Sequence, residues 1–177
     1  VSPDEAVRLI ESGDHVYIQG STSIPEVLCE ALARRGNELK DVKLYSAFAV
    51  AKGPAPYCKP ECKDTFLVNS FFVSNSVRKW IAEGYGVTTP RFLGEVPELF
   101  RDGTCRVDVA LINCSEPDEE GYVSFGISAD LATSAVECAD RVIAQINKYM
   151  PYSYGDARIH VSQLAAAVRA GTHGRTN

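Results

Sequence analysis

The segment that most restricts the fold is residues 107–114, Val-Asp-Val-Ala-Leu-Ile-Asn-Cys. It is almost wholly apolar, as a strand covered by helices on both faces must be. Such a strand has no solvated side, so the rest of the chain must supply the cover. The punctuation supplies it. Ser-Pro-Asp-Glu at 2–5 is a capping box with proline at the first helical position, and Ala6, Val7, Leu9 and Ile10 continue it as an apolar stripe closed by Gly13. Residues 14–20 read as a strand. Pro25 then opens a helix in which Val27, Leu28, Ala31 and Leu32 recur at helical spacing until Gly36. Strands follow at 42–47 and 66–73, and Ser-Asn-Ser at 74–76 caps a helix carrying Val77, Trp80 and Ile81 that ends at Gly84. Beyond the central strand come a short strand at 122–127, a helix at about 129–139 and a more mixed strand at 141–147. This alternation predicts an α/β domain over residues 1–163, with an open, mostly parallel sheet flanked by helices.

Two stretches fall outside that pattern. Residues 50–65 hold three prolines and one glycine, and read as an ordered excursion or lid rather than core. Residues 164–177 show no strand pattern and end in polar, turn-forming residues, so a disordered or non-native tail is expected there.

A chain of 177 residues suits one core of ordinary size. Its formal net charge of -5 leaves no basic footprint for nucleic acid or anionic lipid. No stretch approaches the roughly 20 apolar residues of a membrane span, and the first residues lack the basic and apolar regions of a signal peptide. The expectation is a cytoplasmic protein with no nucleic-acid or membrane partner. Six cysteines are present, of which Cys58 and Cys62 form the one suggestive pair. A zinc site needs about four ligands and no second Cys or His cluster supplies the others, so free thiols are expected and no metal.

In open α/β sheets ligands bind where strands lead into helices at the carboxyl ends. Four such loops stand out. Gln19, Gly20, Ser21 and Thr22, followed by Ser23, offer a close backbone approach and hydroxyls near a helix start, without the endings of a phosphate-binding or dinucleotide loop. Ser74, Asn75 and Ser76 can cap a helix or present amides to an anion, with Arg78 nearby. Gly94 and Glu95 place a carboxylate at a helix start, where the helix dipole favours an acid. The fourth loop, 113–122, packs four acids into a tight turn. Turn and cap chemistry accounts for these residues as readily as a binding role does. No catalytic triad, Cys/His pair or metal motif can be argued from the spacings.

Taken together, the loops resemble one family. Residues 107–128 read Val-Asp-Val-Ala-Leu-Ile-Asn-Cys-Ser-Glu-Pro-Asp-Glu-Glu-Gly-Tyr-Val-Ser-Phe-Gly-Ile-Ser, and Ala-Gln-Ile-Asn-Lys-Tyr-Met-Pro follows at 144–151. This is similar to the Ser-Pro-Pro-Asp-x-x-Gly-Tyr/Phe, Gly-Val-Ser and Glu-Val-Asn-x-x-Met/Val-Pro series of the acetyl-CoA hydrolase/transferase family. Gly-Glu-Val-Pro at 94–97 matches its Glu-x-Pro element, and Ser-Val-Arg at 76–78 with Glu-Gly at 83–84 matches its helix. Lys-Pro-Glu at 59–61, and Tyr-Gly-Asp at 154–156 before His-Val-Ser at 160–162, resemble the 4-hydroxybutyrate CoA-transferase branch. Ser-Glu-Pro at 115–117 departs from the usual Ser-Pro-Pro.

The resemblance implies a CoA-transferase (NagB/RpiA-like) fold of which this is the N-terminal half. It implies transfer of CoA between an acyl-CoA, of the acetyl-CoA or butyryl-CoA type, and a small carboxylate such as 4-hydroxybutyrate or acetate. The route it implies is ping-pong, through an acyl-glutamyl anhydride and a glutamyl-CoA thioester. Coenzyme A enters as substrate and no other cofactor is expected. The nucleophilic glutamate belongs to the missing C-terminal half, so this chain is expected to be inactive alone, to carry no catalytic residue and to form a homo-oligomer. Gln19, Gly20, Ser21, Thr22, Ser74, Asn75, Ser76, Gly94 and Glu95 are the expected substrate-side contributors. A stand-alone acyl-CoA- or carboxylate-binding module, an acetyl-CoA hydrolase and, with least support, a sugar-phosphate isomerase are the alternatives.

Overall fold

Strand β1 (His15–Ile18) is the middle strand of the sheet, flanked by β2 (Val42–Ser46) and β5 (Val109–Cys114). The structure is a computed structural model that describes residues 1–170. Outward from β2 lie β3 (Phe66–Ser70) and β4 (Gly86–Thr88), and outward from β5 lie β7 (Arg141–Ile146) and β9 (Ala166–Arg169). Every pairing in this seven-stranded sheet is parallel. Two further strands, β6 (Tyr122–Ser124) and β8 (Arg158–His160), form a separate antiparallel pair. The chain thus runs from β1 to one edge, returns to β5, and proceeds to the other edge. The order reverses between β1 and β5, which makes their carboxyl ends the topological switch point.

Helices cover both faces. On one face α1 (Pro3–Ala6), α2 (Glu26–Arg34) and α3 (Asn75–Ala82) pack on Val16, Ile18, Leu44, Val68, Val109 and Leu111. On the other, α4 (Val96–Arg101) and α5 (Ala132–Cys138) pack on Tyr17, Tyr45, Ala110, Ile112 and Ala144. Strands β1, β2, β5 and β7 therefore send alternate side chains into two separate cores, and all six residues of β5 are buried. Phe100 of α4 packs its ring against those of Tyr17, Tyr45 and Phe71 at centroid distances of 5.7–6.4 Å.

Three expectations are corrected. Residues 50–65 are not a lid: Ala55, Tyr57 and Cys62 lie buried in the first core, and Thr65 Oγ1 donates to the Gly36 carbonyl. The prolines shape an irregular path whose apolar side chains still point inward. The expected tail from Leu164 instead begins with β9, which pairs along β7 and buries Val168. A run of small residues can serve an edge strand because only one of its sides is paired, and no strong propensity marks it in advance. The part of that expectation covering 171–177 lies outside the described residues. The first helix stops early: α1 gives way to a 3-10 turn at Val7–Leu9, although the Ser2–Glu5 capping box is formed. No helix among the described residues is long and apolar enough to cross a membrane.

At the amino end of the sheet, His15 Nδ1 lies 3.2 Å from the Tyr45 hydroxyl. Burial lowers the His15 pKa below its ordinary 6.5, with Lys43 and Arg106 adding to the effect. The folded state therefore favours the neutral ring, and the unfolded chain takes up the proton first. This contribution to stability is complete above 6.5 and is lost as pH falls below it. Denaturant titrations from pH 7 to about 5 should show a decline in stability that is shallower in His15→Gln. An identical decline in the variant would remove His15 as its source.

Candidate functional site

The switch point is built from amides at strand ends. Gln19, directly after β1, is fully buried. Its Oε1 accepts from Asn113 N at 2.7 Å, and its Nε2 donates to the carbonyls of Ser128 at 2.8 Å and Phe125 at 3.2 Å. One side chain thus ties β1 to β5 and to the loop after β6. On the other face of the sheet Asn113 Nδ2 donates to the Ile24 carbonyl at 3.5 Å, and Gln145 Oε1 of β7 accepts from Val27 N at 3.1 Å. Gln145 thus caps α2 from a neighbouring strand, since Pro25 at the N-cap has no side-chain oxygen to do so. Two buried atoms beside this network, Ser23 Oγ and Asn113 Oδ1, have no hydrogen-bond partner among the described residues.

The loops after β1 and β2 are locked together by backbone. Ser21 N donates to the Phe48 carbonyl at 2.5 Å, and Val50 N donates to the Ser21 carbonyl at 2.9 Å. Ser21 holds φ at 57°, a left-handed conformation that costs a non-glycine residue about 1 kcal/mol. Gly20 lies against the β2 exit so closely that a Cβ there would sit 2.9 Å from the Ala47 carbonyl oxygen. The loop after β3 joins through an edge-to-face contact of Phe72 with Phe48, centroids 5.4 Å apart. Phe48, Val50 and Phe72 are all exposed.

The expected site residues divide accordingly. Gly20, Ser21 and exposed Thr22 do stand at the carboxyl edge of the switch point. Gln19 is there too, but its amide is wholly engaged in holding the fold. Ser74 and Ser76 are buried and their hydroxyls lie 2.7 Å apart, while Asn75 at the first turn of α3 is exposed. The Ser74 side chain makes no cap bond to α3; its carbonyl accepts from Arg78 N instead. Gly94 and Glu95 sit in a 3-10 turn after β4, where the Glu95 carboxylate accepts from Phe92 N at 3.3 Å. Among the described residues no hydrogen bond or ring contact joins those two to the other loops.

The acid-rich turn is organised by Asp118. Its Oδ1 accepts from the backbone of Glu120 and Tyr122, and its Oδ2 accepts from the Tyr152 hydroxyl at 2.5 Å. The Tyr152 hydrogen bond, followed by that from Tyr122 N, holds the Asp118 carboxyl below its usual range. These are the bonds of a structural turn. Glu116 pairs with Arg169 of β9 at 2.9 Å.

All six thiols are free and burial raises the pKa of each, Cys58 up to about 12. They stay protonated at neutral pH, so none is a thiolate nucleophile. Among the described residues no group of three or more His, Cys, Asp or Glu is placed to hold a metal ion. The residues that sequence reading passed over are Asn113 and Gln145. Their signal was an amide near the end of an otherwise apolar, doubly covered strand, where burial obliges it to find partners.

The arrangement has relatives. The sequence profile of the acetyl-CoA hydrolase/transferase N-terminal domain matches residues 1–170. The 4-hydroxybutyrate coenzyme A transferase of Clostridium kluyveri is 39% identical over 170 residues, covering 96% of this chain and 39% of its own length. The succinyl-CoA:acetate/propanoyl-CoA:succinate CoA transferase of Fasciola hepatica is 36% identical over 171 residues, covering 96% of this chain and 35% of its own length. The crystal structure of 4-hydroxybutyrate CoA-transferase from Porphyromonas gingivalis superposes with a TM-score of 0.80 at 31% identity, over 97% of this chain and 39% of that one. This chain therefore spans 35–39% of the length of the curated relatives just named. On profile, identity and fold together, it belongs to the acetyl-CoA hydrolase/transferase family and constitutes that family's N-terminal domain.

Proposed function

We propose that this domain is one wall of a split active site in a CoA-transferase, and that the catalytic glutamate lies in a C-terminal part outside residues 1–170. The observation that carries the reading is the switch point itself. Three loops and the 126–128 turn meet there on a surface with the exposed Thr22 hydroxyl and the exposed rings of Phe48 and Phe72. Two acids of the candidate loops are committed elsewhere: Glu95 to a turn amide and Glu116 to Arg169. The activities named for the relatives supply the chemistry, transfer of CoA between an acyl-CoA and a carboxylate such as acetate or 4-hydroxybutyrate.

In that chemistry a glutamate oxygen attacks the thioester carbonyl and CoA leaves as thiolate, giving an anhydride. The thiolate then attacks the glutamyl carbonyl and expels the first carboxylate, leaving a glutamyl-CoA thioester for the second carboxylate to reverse the sequence. The role of this domain is to position and shield the acyl group while those steps occur. A cytoplasmic setting, a homo-oligomeric assembly and CoA as the sole cofactor-like molecule belong to the same reading.

The test is isotope exchange between acetyl-CoA and labelled acetate. This chain alone should give no labelled acetyl-CoA above the protein-free control. The complete polypeptide should give exchange, and mass spectrometry should find CoA on a glutamate beyond residue 170. Exchange by this chain alone, or an adduct on a carboxylate within it, would overturn the reading.

A further inference from the structure

The turn at 126–128 presents an isoleucine to solvent in a way the fold does not need. Ile127 is 60% exposed, while Phe125, Gly126 and Ser128 on either side are buried. Gly126 N donates to Ser124 Oγ at 3.1 Å, and Ser153 Oγ donates to the Gly126 carbonyl at 2.8 Å. The carbonyls of Phe125 and Ser128 are both held by Gln19 Nε2. Gly126 adopts φ 67° with Met150 pressed on it, so the turn has one conformation available. The backbone on both sides of Ile127 is thus pinned to the switch point, where open parallel sheets bind ligands.

The adjoining loops show what kind of ligand chemistry this edge can recognise. No charged residue occurs at 19–25, 47–51, 71–76 or 125–129. The large exposed groups are Ile127, Phe48, Val50 and Phe72, with Thr22 and Asn75 as the exposed polar side chains. Such a surface has no charge to pair with a carboxylate and much to pack against methylene groups. The two curated relatives share CoA transfer and differ in the acids their names give, succinate, acetate and propanoate for one and 4-hydroxybutyrate for the other. Those acids span two to four carbons, so chain length is one feature a site must read.

We infer that Ile127, fixed by the bonds around it, packs against the carbon chain of the acyl group and sets the chain-length preference. The inference rests on the CoA-transferase reading above and adds to it which part of the substrate this domain contacts. A residue at the end of an apolar pocket discriminates one methylene by roughly 10–200-fold at best.

The experiment compares kcat/KM for acetyl-, butyryl- and hexanoyl-CoA, with one fixed acceptor, in the complete polypeptide. Ile127→Ala should raise the hexanoyl-to-acetyl ratio by about 10-fold, and Ile127→Phe should lower it by a similar factor. Val87→Ala, an exposed truncation on the far edge strand β4, should leave the ratio unchanged. Ile127→Val serves as a milder variant should the alanine protein be poorly soluble, with a smaller shift in the same direction. Active wild-type enzyme with an unaltered ratio in all Ile127 variants would overturn this inference alone. So would an equal fall of kcat/KM for every acyl-CoA, because Ile127 would then be packing against the rest of the polypeptide. No CoA transfer from any acyl-CoA by the wild type would instead defeat the functional reading, and this inference with it.

Discussion

Gln19→Leu is expected to destabilise the domain by about 3–5 kcal/mol, the largest effect of any single polar substitution at the switch point. The volumes are similar, so packing changes little. What changes is that Asn113 N and the carbonyls of Phe125 and Ser128 lose their partner together in a site where Gln19 itself is fully buried. Each buried group left unsatisfied costs about 1–3 kcal/mol. Gln19→Glu keeps the acceptor facing Asn113 N but cannot donate to two carbonyls, so it should fall in the same range. Thr22→Ala, three residues on and exposed, should stay within about 0.5 kcal/mol of the parent. Urea unfolding of the three variants measures the contrast. Equal stability of Gln19→Leu and Thr22→Ala would mean that the three-way bond does not hold these elements together.

Gly20→Ala is the second large effect, about 2–4 kcal/mol, and its cause is steric rather than polar. The added methyl would meet the Ala47 carbonyl oxygen at 2.9 Å and the Phe48 carbonyl oxygen at 3.2 Å. Both are backbone atoms, and neither can swing aside without breaking the Ser21–Phe48 and Val50–Ser21 bonds that lock the loops. Stability and ligand binding should therefore be lost together, and hydrogen exchange should quicken at Ser21 and Val50. Gly94→Ala is the matched control, since nothing lies within 4 Å of a Cβ at that position. A Gly20→Ala protein as stable as Gly94→Ala would show that the two loops are not in contact.

Much of this was legible in the residues. The doubly buried β5 demanded helices on both faces, and those helices are found there. The capping box at Ser2, the helix after Pro25 and the helix from Asn75 each follow from local chemistry that acts within one turn. Motifs spread over the chain also carried the family resemblance, because their order survives without knowledge of their contacts. What stayed illegible is non-local. β9 is a strand because β7 offers it an unpaired edge, and Tyr57 and Cys62 join the core because the irregular path of residues 50–65 returns them to the α2 side of the sheet. The two serines at 74 and 76 looked like anion donors; burial turned them toward each other.

The sequence by itself therefore determined the fold class, the family and the set of loops at the carboxyl edge, since periodicity, caps and motif order are short-range properties. Only the tertiary structure decided what each loop residue does. Gln19 could be read as a ligand contact until its partners, more than 90 positions away, were seen to absorb both ends of its amide. Ile127 could be read as one more strand residue until the same bonds were seen to hold it outward. The physical reason is common to both: a buried polar group must be satisfied wherever a partner lies, and chain distance does not reveal where that is.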